Sequence, residues 1–262
     1  ERDSSRIWMT AVEGKEYCAN LELDGYSDWR YPLMKELQTI VDSGEFRPAV
    51  DTHAFLNMPR QSSGIWTFPV SNHPDHAWHI GFPDGHTMGQ HTASTKMTRC
   101  VRADNGAAYH NMEYVDNNNG TITEKVTNRM WQKELDFTRR KWEDSIQYCE
   151  NLNLGGHDDW RLPDFKELKS IVNFNKVNPS IDEEFFPNTP MKYMFWTSTA
   201  YVGTENAQFR PLPARKKDQD PSEYDLRGKK GGTFAWAVGF QLGAGYGLSR
   251  DIEFYTRCIR DL

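Results

Sequence analysis

At 262 residues and a net charge of −6, the chain is long enough for two domains that each bury a core. Its acidity argues against a nucleic-acid footprint over the whole surface. Hydrophobic residues make up only 37%, but aromatics reach 13%, and each ring buries far more area than an aliphatic side chain. No stretch approaches the roughly 18 apolar residues that a membrane-spanning helix needs.

In chain order, the first element is one that returns. YCANLELDGYSDWRYPLMKEL at 17–37 reappears as YCENLNLGGHDDWRLPDFKEL at 148–168, and AWHIGF (77–82) with TRCVR (98–102) reappears as AWAVGF (235–240) with TRCIR (256–260). A repeat of this length is a tandem of globular domains and not a solenoid. The first domain is expected over 1–104 and the second over 112–262, with the small, polar stretch Ala103–Asn111 between them. Eight of the nine tryptophans fall into repeat pairs, Trp8 matching Trp131, and Trp142 stands alone. Trp196 and Trp236 are much farther apart than Trp66 and Trp78, so the second copy carries an insertion at about 201–231.

YVDNNNGTITEKVTNRMW (114–131) reads as strand, Asn/Gly turn, strand. The first copy has only DSSRIW in that place, so its opening strand is expected to be absent or replaced. A chain opening at Glu1 without methionine reads as a processed or trimmed product. Between Trp131 and Asn151, Trp142, Ile146 and Cys149 recur at near-helical spacing, and Gly155–Gly156 ends that helix. Pro163, Phe165, Leu168, Ile171 and Val172 predict a second helix, with Asp164 and Glu167 at its positive end. MFWTST, FAWAVGF and FYTRCIR predict short strands. The fold class is therefore α+β, each half two helices followed by a small, twisted, mostly antiparallel sheet.

Four cysteines allow three pairings, and only Cys18–Cys100 with Cys149–Cys258 respects the repeat. Disulfides imply an oxidising compartment; the alternative is four buried thiols.

YCENLNLGGHDDWRLPDFKELKSIV, FWTST, WAVGF and YTRCIR, with the approach DNNNGTITEKVTNRMWQKE, resemble the C-terminal domain of Legionella collagen-like adhesins, a widespread bacterial domain. The resemblance covers Arg6–Arg102 and Tyr114–Arg260. It implies two tandem C-type-lectin-like domains, a fold marked by a disulfide from helix to last strand. It does not bring the calcium-dependent sugar site of C-type lectins, because EPN, QPD and WND are all missing.

Several candidate sites follow. In DWR(L/Y)P no nucleophile or general base stands beside the carboxylate, so the block reads as structure: Trp29 and Trp160 as core anchors, Arg30 and Arg161 paired with Glu36 and Glu167. Placing Asp116–Gly120 in the frame of an EF-hand loop puts Val115 and Val126 where carboxylates belong, so it reads as a hairpin turn. His73, His76, His79, His86 and His91 cluster in the first copy. On a strand i and i+3 face opposite ways, so they are expected as surface residues and not as a metal site. The insertion concentrates Arg210, Arg215, Lys216, Lys217, Arg227, Lys229 and Lys230, a local surface for an anion. The glycine-rich segment Gln241–Glu253 reads as an exposed loop offering Tyr246 and Arg250 to a ligand, and Pro83–Lys96 is its counterpart.

The reading is a noncatalytic, bacterial, surface, secreted or periplasmic module for adhesion or ligand capture. Its partner would be a glycan, another polyanion or a protein, with homo-oligomers open and no cofactor, metal, nucleic acid or membrane span. The alternative is a structural subunit or coat of an extracellular assembly. An enzyme akin to formylglycine-generating oxidases, which share the broader fold, would need reactive cysteines that the two disulfides already consume.

Overall fold

The structure is a computed structural model, and it describes residues 7–45, 47–58, 64–70, 75–102, 113–202 and 234–262. The first half supplies α1 (Ala11–Ala19), α2 (Met34–Thr39), β1 (Gly64–Val70), β2 (His76–Gly81) and β3 (His86–His91). The second supplies β4 (Tyr114–Asp116), β5 (Thr121–Glu124), β6 (Arg129–Gln132), α3 (Trp142–Glu150), α4 (Phe165–Ser170), β7 (Phe195–Ala200), β8 (Phe234–Gly239), β9 (Ala244–Ser249) and β10 (Ile259–Asp261).

Local chemistry sets the helix starts. Thr10 and Glu13 form a reciprocal capping box at α1, and Asp164 and Glu167 form one at α4. At α2 the Glu36 carboxylate accepts the Leu33 amide at 2.8 Å. The helix expected between Trp131 and Asn151 begins only at Trp142, because Arg129–Gln132 pairs with β5 and β10 as a strand. Among the described residues the first half has no counterpart of the β4–β6 sheet.

Both expected disulfides are formed, Cys18–Cys100 and Cys149–Cys258, each tying the half's first helix to its C-terminal segment. Each half thus has the two helices and antiparallel sheet expected from its sequence, with a single disulfide.

The two sheets are not separate, however. One six-stranded sheet runs β1-β2-β3-β9-β8-β7, and the halves meet edge to edge where Thr87 pairs with Gly245. These two residues hold the same place in the repeat, as their distances from Phe82 and Phe240 show, so a local pseudo-two-fold axis passes between them. The contacts around it are reciprocal, as an isologous interface requires: Lys35 Nζ donates to the Ser170 carbonyl at 2.7 Å, and Lys166 Nζ donates to the Thr39 carbonyl at 3.4 Å. Lys35 corresponds to Lys166, and Thr39 to Ser170. The main core is continuous across the join: Met34, Leu37, Trp78 and Phe82 belong to one cluster with Phe165, Leu168, Trp236 and Phe240.

Backbone contacts also correct the repeat register near its start. Met9 bridges Lys96 and accepts the Trp66 indole N–H, just as Arg140 bridges Phe254 and accepts the Trp196 indole N–H. Arg140 is therefore the counterpart of Met9, and Trp8 corresponds to Arg139, not to Trp131. Trp8 is 51% exposed, whereas Trp131 is fully buried in the β4–β6 hairpin sheet.

Candidate functional site

The DWR(L/Y)P block makes matching internal bonds in both halves. Its aspartate holds the C-terminal segment: Arg102 Nε donates to Asp28 at 2.8 Å and Arg260 Nε to Asp159 at 2.6 Å. Its arginine holds the second helix through bidentate bonds, Arg30 to Glu36 at 2.7 and 2.5 Å and Arg161 to Glu167 at 2.7 and 2.8 Å. Burial raises the Glu167 carboxyl pKa, but the bonds from Arg161 and the Asp164 amide outweigh it and keep the group below its usual value. The tryptophans differ: Trp160 is buried, while Trp29 is partly exposed and donates to the Tyr26 carbonyl. Trp29 is thus not the core anchor expected of it.

The histidines pair across β2 and β3. His76 lies opposite His91, with rings 5.8 Å apart, and His86 Nδ1 meets the Asp84 carboxylate at 2.5 Å. His79 breaks the expectation of surface residues. It is 3% exposed, packs edge-on to Trp66, and its Nδ1 has no partner. Burial, reinforced by the nearby Lys96 and His86, pushes its pKa down to about 2. Folded His79 is therefore neutral, while the unfolded residue takes up a proton below about 6.5. Stability contributed above that pH is lost as pH falls, by up to about 1.4 kcal/mol per pH unit. His79→Ala, the residue at the matching position 237, should flatten the fall in urea midpoint between pH 6.5 and 4. Among the described residues no group of three or more His, Cys, Asp or Glu is arranged to hold a metal ion.

The segment Gln241–Glu253 is not a loop: Ala244–Ser249 is β9, fully paired with β8. Its glycines serve packing. A Cβ on Gly245 would stand 2.7 Å from the Phe165 ring, and one on Gly247 would strike Tyr201. Tyr246, on the opposite face, packs against a second buried cluster. Arg250, just beyond β9, lays its guanidinium on Trp142 at 3.7 Å from the ring centre.

That stack has neighbours. Arg139 lies over Tyr193 at 4.1 Å and Arg140 over Tyr148 at 3.8 Å; Trp142, Tyr148, Tyr193 and Tyr246 all border the same cluster. Arg140 is committed to Asp136 and the Thr138 carbonyl. Arg139 is exposed, and Lys192 stands over the same tyrosine at 5.6 Å. The Trp142 indole N–H is taken by the Thr197 carbonyl at 2.7 Å, so this ring offers its face and not its donor. Sequence reading found Arg250 and missed Arg139, Tyr193 and Trp142. Their signal was available: in the corrected register Arg139, Trp142 and Arg250 replace Trp8, Ala11 and Thr92, so the surface belongs to the second half alone. Arg215, Lys216, Lys217, Lys229 and Lys230 of the insertion, with Arg210, Arg227 and His73, lie outside the described residues.

No helix among the described residues is long and apolar enough to cross a membrane. No curated protein matches the chain. Among solved structures it is similar to the crystal structure of botrocetin, at 11% identity and a TM-score of 0.31, over 52% of this chain and 92% of that one. That likeness is too slight to bear on function. The family comparison is decisive: residues 2–102 and 120–260 match the Lcl C-terminal domain, in keeping with the two halves seen in the sheet. The chain belongs to the Lcl C-terminal domain family and carries the domain twice.

Proposed function

We propose that the chain is a noncatalytic adhesion or ligand-capture module that works outside the cell and takes an anionic polysaccharide on the arginine-aromatic face of its second half. The observation that supports this reading most is the pair of stacks Arg139–Tyr193 and Arg250–Trp142, added at positions where the first half has neither arginine nor a matching ring. A guanidinium held over a ring keeps its charge and leaves its N–H groups free to reach a ligand. The fork of an arginine matches the paired oxygens of sulfate or carboxylate, while the rings offer the apolar surface that sugar faces use. Glu143, Asp144, Asp251 and Glu253 flank the stacks in sequence, so the face is mixed in charge and its grip falls with salt. Two disulfides in one chain suit an oxidising compartment.

The test is retention on immobilised heparin. Arg139→Ser and Arg250→Ser should each weaken binding by about 1.5 kcal/mol, roughly tenfold in Kd, and their combination should abolish retention at physiological salt. Unchanged retention in that double variant, with loss on replacing Lys216, Lys217, Lys229 and Lys230 by Ala, would move the site to the insertion. Ordered self-association of a chain that no glycan retains would instead favour the structural subunit of an assembly.

A further inference from the structure

Beside the pseudo-two-fold axis, α2 and α4 flank a half-open cavity of about 310 Å³, lined on one side by the turn between β5 and β6. It owes its existence to a break in the repeat. Lys169 spans its side of the interface, donating to Thr87 Oγ1 at 2.9 Å and to the Gly243 carbonyl. The residue in the same place on α2 is Gln38, which is shorter. Its amide nitrogen is buried and has no partner, although the carbonyl equivalent to that of Gly243 belongs to Gly85, which lines the same cavity. Thr127, from the β5–β6 turn, which has no counterpart among the described residues of the first half, also lines the cavity and has a buried hydroxyl without a partner. Phe165, Val41 and Val126 supply apolar wall.

Three lysine side chains line this space: Lys35, Lys166 and Lys169. Their hydrogen bonds run to neutral oxygens, the Ser170, Thr39 and Gly243 carbonyls and the Thr87 hydroxyl. The carboxylate whose field reaches Lys35 is Glu124, which itself accepts the Trp131 indole N–H at 2.8 Å. Burial pushes the Lys35 pKa down to about 8 and that of Lys169 to about 7, so an anion bound beside them would favour their charged forms. A size near the lower end of ligand cavities, apolar walls and a few convergent polar groups are the marks of a small-molecule site.

We propose that this cavity binds a small carboxylic acid with an apolar body, its carboxylate among Lys35, Lys166 and Lys169, an acceptor oxygen receiving the Gln38 amide, and its body against Phe165 and Val126. The site is independent of the polysaccharide face.

Isothermal titration of the full chain with cinnamate, octanoate and indole-3-acetate, and with cinnamyl alcohol as the uncharged comparator, tests this. At least one acid should bind saturably, and cinnamyl alcohol should bind at least tenfold more weakly than cinnamate if cinnamate is that acid. Val126→Trp should block the space from the turn; Val126 is 52% exposed, so the core is spared. Gln38→Leu should weaken binding several-fold while leaving thermal unfolding unchanged. The proposal falls if none of the three acids binds, if the alcohol binds as well as cinnamate, or if both variants bind like the parent chain.

Discussion

Replacing Cys149 and Cys258 by alanine is expected to lower the unfolding free energy by about 4.5 kcal/mol, the loop-closure entropy released to an unfolded chain cross-linked over roughly 100 residues. The two cysteines are 109 residues apart. Cys18 and Cys100, 82 residues apart, should cost nearly as much, since the entropy rises only with the logarithm of loop length. Total stability of a chain this size is of order 10 kcal/mol, so either change consumes a large fraction of it. The form of the transition is as informative as its midpoint. Because the sheet is joined at Thr87 and Gly245 and the main core runs through both halves, opening one half exposes apolar surface of the other. Urea unfolding followed by tryptophan fluorescence and by circular dichroism should therefore give one coincident transition in the parent chain, and either cysteine pair should shift the whole of it. Two separable transitions, with each variant moving only one, would mean that the halves fold alone and that the join contributes little.

The parts of the fold legible in the sequence were those fixed by local chemistry and by repetition. Cysteine spacing within the repeat gave the disulfides, and the DWR(L/Y)P block gave the Arg30–Glu36 and Arg161–Glu167 pairs, because both partners lie within one short segment. The partners of Asp28 and Asp159 lie at the far end of each half, beyond any local pattern. The glycines of Gln241–Glu253 pointed to a loop because glycine leaves the backbone free. In fact Gly245 and Gly247 lie where the rings of Phe165 and Tyr201 cover a sheet, and only the folded chain brings those rings there. Pairing tryptophan with tryptophan put Trp8 opposite Trp131, and that false match hid the substitutions at Arg139 and Trp142 on which the proposed polysaccharide face rests. The join between the sheets left no trace in either copy, since edge pairing through one residue pair demands no special side chain. Lys35 and Lys166 do mark it, but a lysine on a helix reads as a solvated residue until its acceptor on the other half is known.

The second large effect concerns Arg257. Its side chain is fully buried, with no carboxylate among its bonding partners: Nη1 donates to the Gln132 and Lys133 carbonyls, each at 2.7 Å, and Nη2 to Thr189 Oγ1 at 3.0 Å. The guanidinium also lies 5.0 Å from the Phe186 ring centre. Burial lowers its pKa, but three donated bonds to neutral oxygens keep the proton in place. The matching Arg99 donates to the Leu56 carbonyl and to Met58 Sδ, both at 3.1 Å. Arg257 therefore adds to the β6–β10 pairing that docks the β4–β6 sheet onto its own half. Arg257→Met keeps most of the volume but leaves two carbonyls and a hydroxyl buried without a donor, at about 1–3 kcal/mol for each group left unsatisfied. Partial relaxation of the hairpin should hold the total to about 3–5 kcal/mol. Amide hydrogen exchange separates a local from a global effect: in Arg257→Met the amides of Thr121–Glu124 and Arg129–Gln132 should lose protection before those of β8 and β9. Equal loss across both sheets would show that the hairpin sheet and the six-stranded sheet open as one unit, and that Arg257 stabilises the half as a whole.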